Sequence, residues 1–131
     1  MMSVDTIGDF LTIIRNAVMV SKASIQVPFS KMRLAIAHIL KAEGFIRDFD
    51  EIQDDNQKKL RIILKYSSGE SVIHAIDRVS KLGGRRYVGF RAIKPVSDGL
   101  GISILTTSRG VLTNKQAKKL GVGGEVICTV W

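Results

Sequence analysis

The run Leu60-Arg61-Ile62-Ile63-Leu64-Lys65-Tyr66, followed at once by Ser67-Ser68-Gly69-Glu70-Ser71, divides the chain in two. Leu60, Ile62, Leu64 and Tyr66 alternate with Arg61, Ile63 and Lys65, the period of a strand that turns one face to a core. The five residues after it are small or polar and predict a linker over 67–71. Upstream, the polar turn Asp54-Asp55-Asn56 joins this strand to another over Phe45–Ile52, which makes a hairpin. Further back, Val4, Ile7, Leu11, Ile14 and Val18 recur at helical spacing with Phe10 beside them, and Ser3 or Asp5 can cap the start of a helix over about 5–20. Ile25–Pro28 reads as extended, because the residue before a proline is pushed out of helical geometry. Ser30 then offers an N-cap, Leu34, Ile36, Ile39 and Leu40 give a second apolar face, and Gly44 sits where that helix stops. Residues 1–66 are therefore expected to form an α+β domain, helix-strand-helix-strand-strand, with its helices on one face of the sheet.

Downstream of the linker, Val72–Ser80 and Arg86–Ile93 read as strands around the turn residues Gly83 and Gly84, with Pro95 and Gly99 closing the second. A short strand over Gly101–Leu105 runs into the polar segment Thr106-Thr107-Ser108-Arg109-Gly110. Thr113 with Gln116 three residues later is a capping-box pattern; it opens a short helix that Gly121 ends. A strand over Glu125–Trp131 completes a mostly-β domain, 72–131. With 131 residues, 45% of them hydrophobic, the chain can bury roughly two-thirds of its unfolded surface, enough for two small units.

Charge narrows the partner. Twenty Lys and Arg against twelve Asp and Glu leave a formal charge of +8, which points to a polyanion. Up to Tyr66 there are ten basic and eight acidic residues; beyond it there are ten basic and four acidic. All ten of the latter basic residues fall in Arg78–Lys119 beside a single acid, Asp98, and the segment is expected to act as one polyanion footprint. Cys128 is alone, so no disulfide forms within the chain, and a small core residue in a late strand is its expected role. No apolar run approaches the ~20 residues of a membrane span. Asp5 and Asp9 interrupt any signal-peptide core, and a soluble, cytoplasmic protein is expected.

Enzyme chemistry finds no residues to carry it. His38 falls in the second helix and His74 in a strand; with two His and one Cys there is no recognisable zinc set, and neither a metal nor another cofactor is expected. Ser108 lacks a Gly-x-Ser-x-Gly elbow and an identifiable base. Asp48, Asp50, Glu51, Asp54 and Asp55 cluster at a hairpin tip beside Lys58 and Lys59, a solvated turn. Gly121, Gly123 and Gly124 come without the Gly-Lys-Ser or Gly-Lys-Thr of a phosphate loop. A hydrolase using Ser108 or the acidic cluster would need a base and an oxyanion site that nothing in the sequence supplies.

Thr106–Gly110 is a different matter. Three hydroxyls, an Arg and a Gly at the end of a strand suit ribose 2′-hydroxyls and base edges, and the same pentapeptide also reads as an ordinary polar turn leading to the Thr113 cap. Tyr87 after Arg85 and Arg86 places a flat ring beside two cations, able to stack on an unpaired base; a half-buried strand tyrosine is the plainer alternative. Arg15, Asn16 and Lys22, around the end of the first helix, form a further polar group whose two cations also complement the helix dipole.

Several blocks taken together resemble the bacterial form of small-subunit ribosomal protein S8 over essentially the whole chain. They are Asp5–Asn16 (D-T-I-G-D-F-L-T-I-I-R-N), Pro28–Ile46 ending in K-A-E-G-F-I, Arg78-Val79-Ser80-Lys81, and Gly99–Gly101 through Thr106–Gly110 to Gly123-Gly124-Glu125-Val126. The resemblance implies two packed α+β subdomains in α/β/β/α layering. It also implies a structural constituent of the small ribosomal subunit that binds a stem in the central domain of its RNA, with neighbouring ribosomal proteins as partners and without a membrane or small-molecule substrate. Members can also repress translation of their own messenger RNA. By position, Thr106, Thr107, Ser108 and Gly110 inherit the central RNA contacts and Tyr87 an RNA-facing place. Arg109, Arg85, Arg86, Lys81, Gly124, Glu125, Arg15 and Asn16 complete the candidate set. Three positions depart from the family pattern: Thr106 stands where Ser is usual, Leu82 where Pro is usual, and Ile13 where Arg is frequent.

Overall fold

The computed structural model describes residues 6–131. The chain separates into two compact units, the first ending at Ile73 and the second running from His74 to Trp131.

In the first unit, α1 (Thr6–Met19), β1 (Ser24–Pro28), α2 (Lys31–Ala42), β2 (Ile46–Asp54) and β3 (Gln57–Leu64) follow in the predicted order. The expected caps Ser3 and Asp5, and Val4 of the apolar stripe, lie outside the described residues. Ser30 caps α2 by accepting the Arg33 N–H at 3.1 Å. The sheet is antiparallel in the order β1-β3-β2. Ile25 and Val27 of β1 pair with Ile62 and Leu60 of β3, so these buried side chains share a face with Leu64. Phe10, Leu11, Ile14 and Ala17 of α1, and Ile36, Ala37, Ile39 and Leu40 of α2, form the helical part of the core. Removing a side chain such as Ile62 would cost about 2–5 kcal/mol, the usual penalty for emptying a filled core position. Among the described residues of this unit one charge is buried: the Arg33 guanidinium donates to the Pro28 and Thr6 carbonyls at 2.8 and 3.1 Å and lies 5.7 Å from the Phe10 ring centre.

The expected linker is itself folded. Tyr66–Ser67 (β4) and Glu70–Ser71 (β5) pair as a minimal hairpin around Ser68 and Gly69, whose φ angles of 53° and 81° make the left-handed turn that suits two-residue hairpins.

The second unit is built on its final strand. β10 (Gly124–Val130) pairs with β8 (Ile102–Thr107) along one edge and, along the other, with β6 (Ile76–Arg78) and then β7 (Tyr87–Val88); β9 (Gly110–Thr113) pairs with the outer edge of β8. The helix α3 (Asn114–Leu120) covers one face, where Ile93, Leu105 and Ala117 are buried with Val88, Leu112, Val122 and Val126 packed against them. Both halves of the predicted capping box form: Thr113 Oγ1 accepts the Gln116 N–H at 3.1 Å, and Gln116 Oε1 accepts the Thr113 N–H at 3.0 Å.

Three sequence expectations need correction. The strand expected over Val72–Ser80 shrinks to Ile76–Arg78 and leaves His74 outside it, because the N–H groups of His74 and Ala75 both donate to the Trp131 carbonyl. Consecutive strand amides point to opposite edges, so one shared acceptor marks a turn. The strand expected over Arg86–Ile93 ends at Val88, where Gly89 opens a short 3-10 turn over Phe90–Ala92. Thr106–Gly110 is the tip of a β8–β9 hairpin, and β9 was not foreseen: its four residues are too few for alternation to register.

Candidate nucleic-acid interface

The candidate residues of the second unit meet through strand register. Glu125 on β10 lies opposite Tyr87 on β7 and opposite Thr106 on β8, which in turn lies opposite Val111 on β9. Directly opposed residues project to the same side, so these four form one row across the sheet. Leu105 and Val126 project to the other side, into the α3 core. At one end of the row Tyr87 is 72% exposed. The half-buried alternative therefore does not hold: β7 is a two-residue strand in which Tyr87 is exposed and Val88 is half-buried.

The three hydroxyls of the hairpin tip divide by role. Thr107 Oγ1 donates to the Gly110 carbonyl at 2.8 Å and accepts the Arg109 N–H at 3.0 Å, which ties the tip together. Thr106 Oγ1 is covered and has no hydrogen-bond partner. Ser108 and Arg109 are exposed. Gly110 has a φ of 105°, a region that L side chains rarely adopt, so the turn itself demands glycine there. Gly124 is required for another reason: a Cβ there would land on the Thr106 carbonyl and prevent β8 and β10 from pairing at the site.

Glu125 is not presented to solvent as Tyr87, Ser108 and Arg109 are; its side chain is 17% exposed. Its Oε2 accepts from Ser80 Oγ and from Arg85 Nη1, the latter at 3.0 Å. The Ser80 hydrogen bond, with help from the Arg85 guanidinium, holds the carboxyl below the usual glutamate range against the opposing effect of burial. Sequence reasoning missed Ser80, which is fully buried, because a lone serine at the end of an expected strand carries no mark of its role.

Lys81 and Arg86 line an open basin of about 710 Å³ together with Arg78, Val79, Gly83 and Gly84. Leu82 projects from the turn that Lys81 and Gly84 close with reciprocal backbone hydrogen bonds of 3.1 Å. The cations of Arg78–Lys119 do not form the single footprint expected. Lys118 donates to the Ile93 carbonyl at 3.1 Å and, with Lys94 and Lys115, borders a depression on the α3 side, away from Tyr87 and Thr106. Arg15 and Asn16 belong to α1 of the first unit, where Asn16 and Ile13 border a shallow depression with Val20 and Lys22.

The features suggestive of enzyme chemistry are otherwise engaged. Asp48, Asp50, Glu51 and Asp54 pair with Lys41, Arg61, Lys58 and Lys59 at 2.5–3.2 Å. Among the described residues no group of three or more His, Cys, Asp or Glu could hold a metal ion. His38 packs edge-on against Phe49, with ring centres 4.7 Å apart, and His74 stacks on Trp131. Cys128 is fully buried in β10, and burial pushes its thiol up to about 12. Among the described residues no helix is long and apolar enough to cross a membrane.

Comparison with known proteins gives the lineage. The family described as ribosomal protein S8 matches residues 5–131. Small ribosomal subunit protein uS8 of Thermotoga maritima is 54% identical over 131 residues, covering 97% of this chain and 98% of its own. The uS8 protein of Ligilactobacillus salivarius is 52% identical over the whole of both chains, and that of Geobacter metallireducens is 50% identical over 97% of each. This chain belongs to the ribosomal protein S8 family.

Proposed function

We propose that this protein is a structural constituent of the small ribosomal subunit that binds a stem in the central domain of the subunit's RNA through its second unit. The family is structural rather than catalytic, and Asp48, Asp50, Glu51 and Asp54 of the β2–β3 hairpin are each held in an ion pair. The observation that carries the reading is the row Tyr87-Glu125-Thr106, with an exposed aromatic ring at one end, and the exposed Ser108 and Arg109 at the tip of the hairpin that carries Thr106. An exposed ring stacks on an unpaired base, a hydroxyl donates to and accepts from base edges and ribose, and neighbouring cations neutralise phosphates. In this reading Ser108 is the hydroxyl that meets RNA directly. Thr107 shapes the tip and Thr106 packs beneath it. The ribosome of the cytoplasm is where such a protein acts.

Footprinting the purified protein on small-subunit ribosomal RNA tests the reading, with protection of one irregular stem of the central domain as the expected result. Ser108→Ala should weaken that site by about 1–3 kcal/mol, the cost of leaving a buried partner without its hydrogen bond, while nonspecific RNA binding stays nearly unchanged. Protection scattered over the whole RNA, or equal weakening on both RNAs, would remove the assignment.

A further inference from the structure

Ser80 and Glu125 join the two parts of the candidate surface without being prominent in it. Ser80 is fully buried; its hydroxyl donates to Glu125 Oε2 and accepts the Arg86 N–H at 3.1 Å. The same carboxylate oxygen accepts from Arg85 Nη1 at 3.0 Å. Glu125 is itself fixed between Tyr87 and Thr106 by strand register. The segment from Lys81 to Tyr87 is exposed at every residue; its backbone is held by the Lys81–Gly84 pair and by the Val126 N–H, which donates to the Arg86 carbonyl at 2.9 Å, and these side-chain bonds add the anchors at the Arg85 guanidinium and the Arg86 N–H.

A carboxylate beside a polyanion site repels phosphate, and this one already has Oε2 engaged by Ser80 and Arg85, which favours a geometric role over a contact with the ligand. We propose that Glu125 is a positioning residue: through Ser80 and Arg85 it holds Arg85, Arg86 and Tyr87 in register with the hairpin tip, and it does not touch the RNA. This rests on the RNA-binding reading above and reassigns Glu125 from contact to support.

The sign of one substitution separates the possibilities. Glu125→Gln removes a negative charge, so a residue acting through charge alone would, once replaced, let RNA bind more tightly. A positioning residue gives the opposite on the specific RNA. The full chain, wild type and Glu125→Gln, would be titrated with the central-domain stem and with polyuridine of equal length, and hydrogen exchange at the Arg86 amide followed in the free protein. We expect stem binding to weaken about tenfold, on the order of one charge-assisted hydrogen bond, with polyuridine bound as well as before or better and the Arg86 amide losing protection. Ser80→Ala, which leaves the charge in place, should repeat the stem loss and the loss of protection, and it decides the matter if Glu125→Gln does not fold. Unchanged or tighter stem binding in Glu125→Gln overturns the proposal. So does weakened stem binding with Arg86 still protected, which would make Glu125 a direct contact, and so does equal weakening on both RNAs. If wild-type protein shows no preference for the stem, the RNA reading fails instead, and Arg86 exchange in the two variants still decides whether the Ser80–Glu125 pair holds the segment.

Discussion

Adjacent hydroxyls on one hairpin carry opposite expectations. Thr106 Oγ1 is covered and unpartnered, and an orphaned buried hydroxyl costs about 1–3 kcal/mol, whereas an apolar group of the same shape does not. Thr106→Val should therefore leave the midpoint of urea unfolding unchanged or raise it, and leave stem affinity intact, as equilibrium unfolding and filter binding can check. A marked drop in affinity would mean that Thr106 turns out to meet the RNA. Cys128 gives a second residue-level expectation. With its thiol buried and pushed up to about 12, the thiolate is scarce near neutral pH, so alkylation by iodoacetamide should be slow in the folded chain and speed up sharply in denaturant. Rapid labelling of native protein would contradict the buried position.

Among the elements, the β8–β9 hairpin depends on one dihedral angle. Gly110 at φ 105° has open space around its Cα, so Gly110→Ala meets no clash and its whole effect is backbone strain. A loss of about 1–3 kcal/mol is expected, measured as a fall in unfolding free energy, together with weaker stem binding as the tip shifts. An unaffected variant would show that the turn relaxes easily. This element also marks the limit of what the sequence discloses. Long periodic segments were legible: α1, α2 and the β2–β3 pair followed from apolar spacing, Ser30 and the Asp55-Asn56 turn, and α3 followed from Thr113 and Gln116. Strands of two to four residues were legible only in part: β6 and β7 fall within longer expected strands and β9 escaped, because all three owe their extent to β10 and β8 rather than to their own patterns. For the site, Ser108, Tyr87 and the glycines stood out through residue type. The different fates of the three hydroxyls, and the role of Ser80, arise from contacts between residues as far apart as 80 and 125, which no local spacing records.

For the whole molecule, a formal charge of +8 sets the scale of any RNA affinity and its response to salt. With cations on more than one side of the second unit, a stem can engage only part of them. If about five phosphates are neutralised, log affinity should fall against log salt with a slope of roughly −3.5 to −4.5, readable from binding titrations across a range of KCl concentrations. A flat response would remove the electrostatic contribution. The topology of β10 has a further consequence for biosynthesis. This strand joins β6, β7 and β8, and Glu125 on it fastens the segment that carries Tyr87, yet it is translated after every strand it unites. A nascent chain that has emerged as far as α3 holds the hairpin and the aromatic segment without the strand that aligns them. Ribosome-bound chains stalled before β10 emerges should thus be blind to the stem, and competence should arrive abruptly once it clears the exit tunnel.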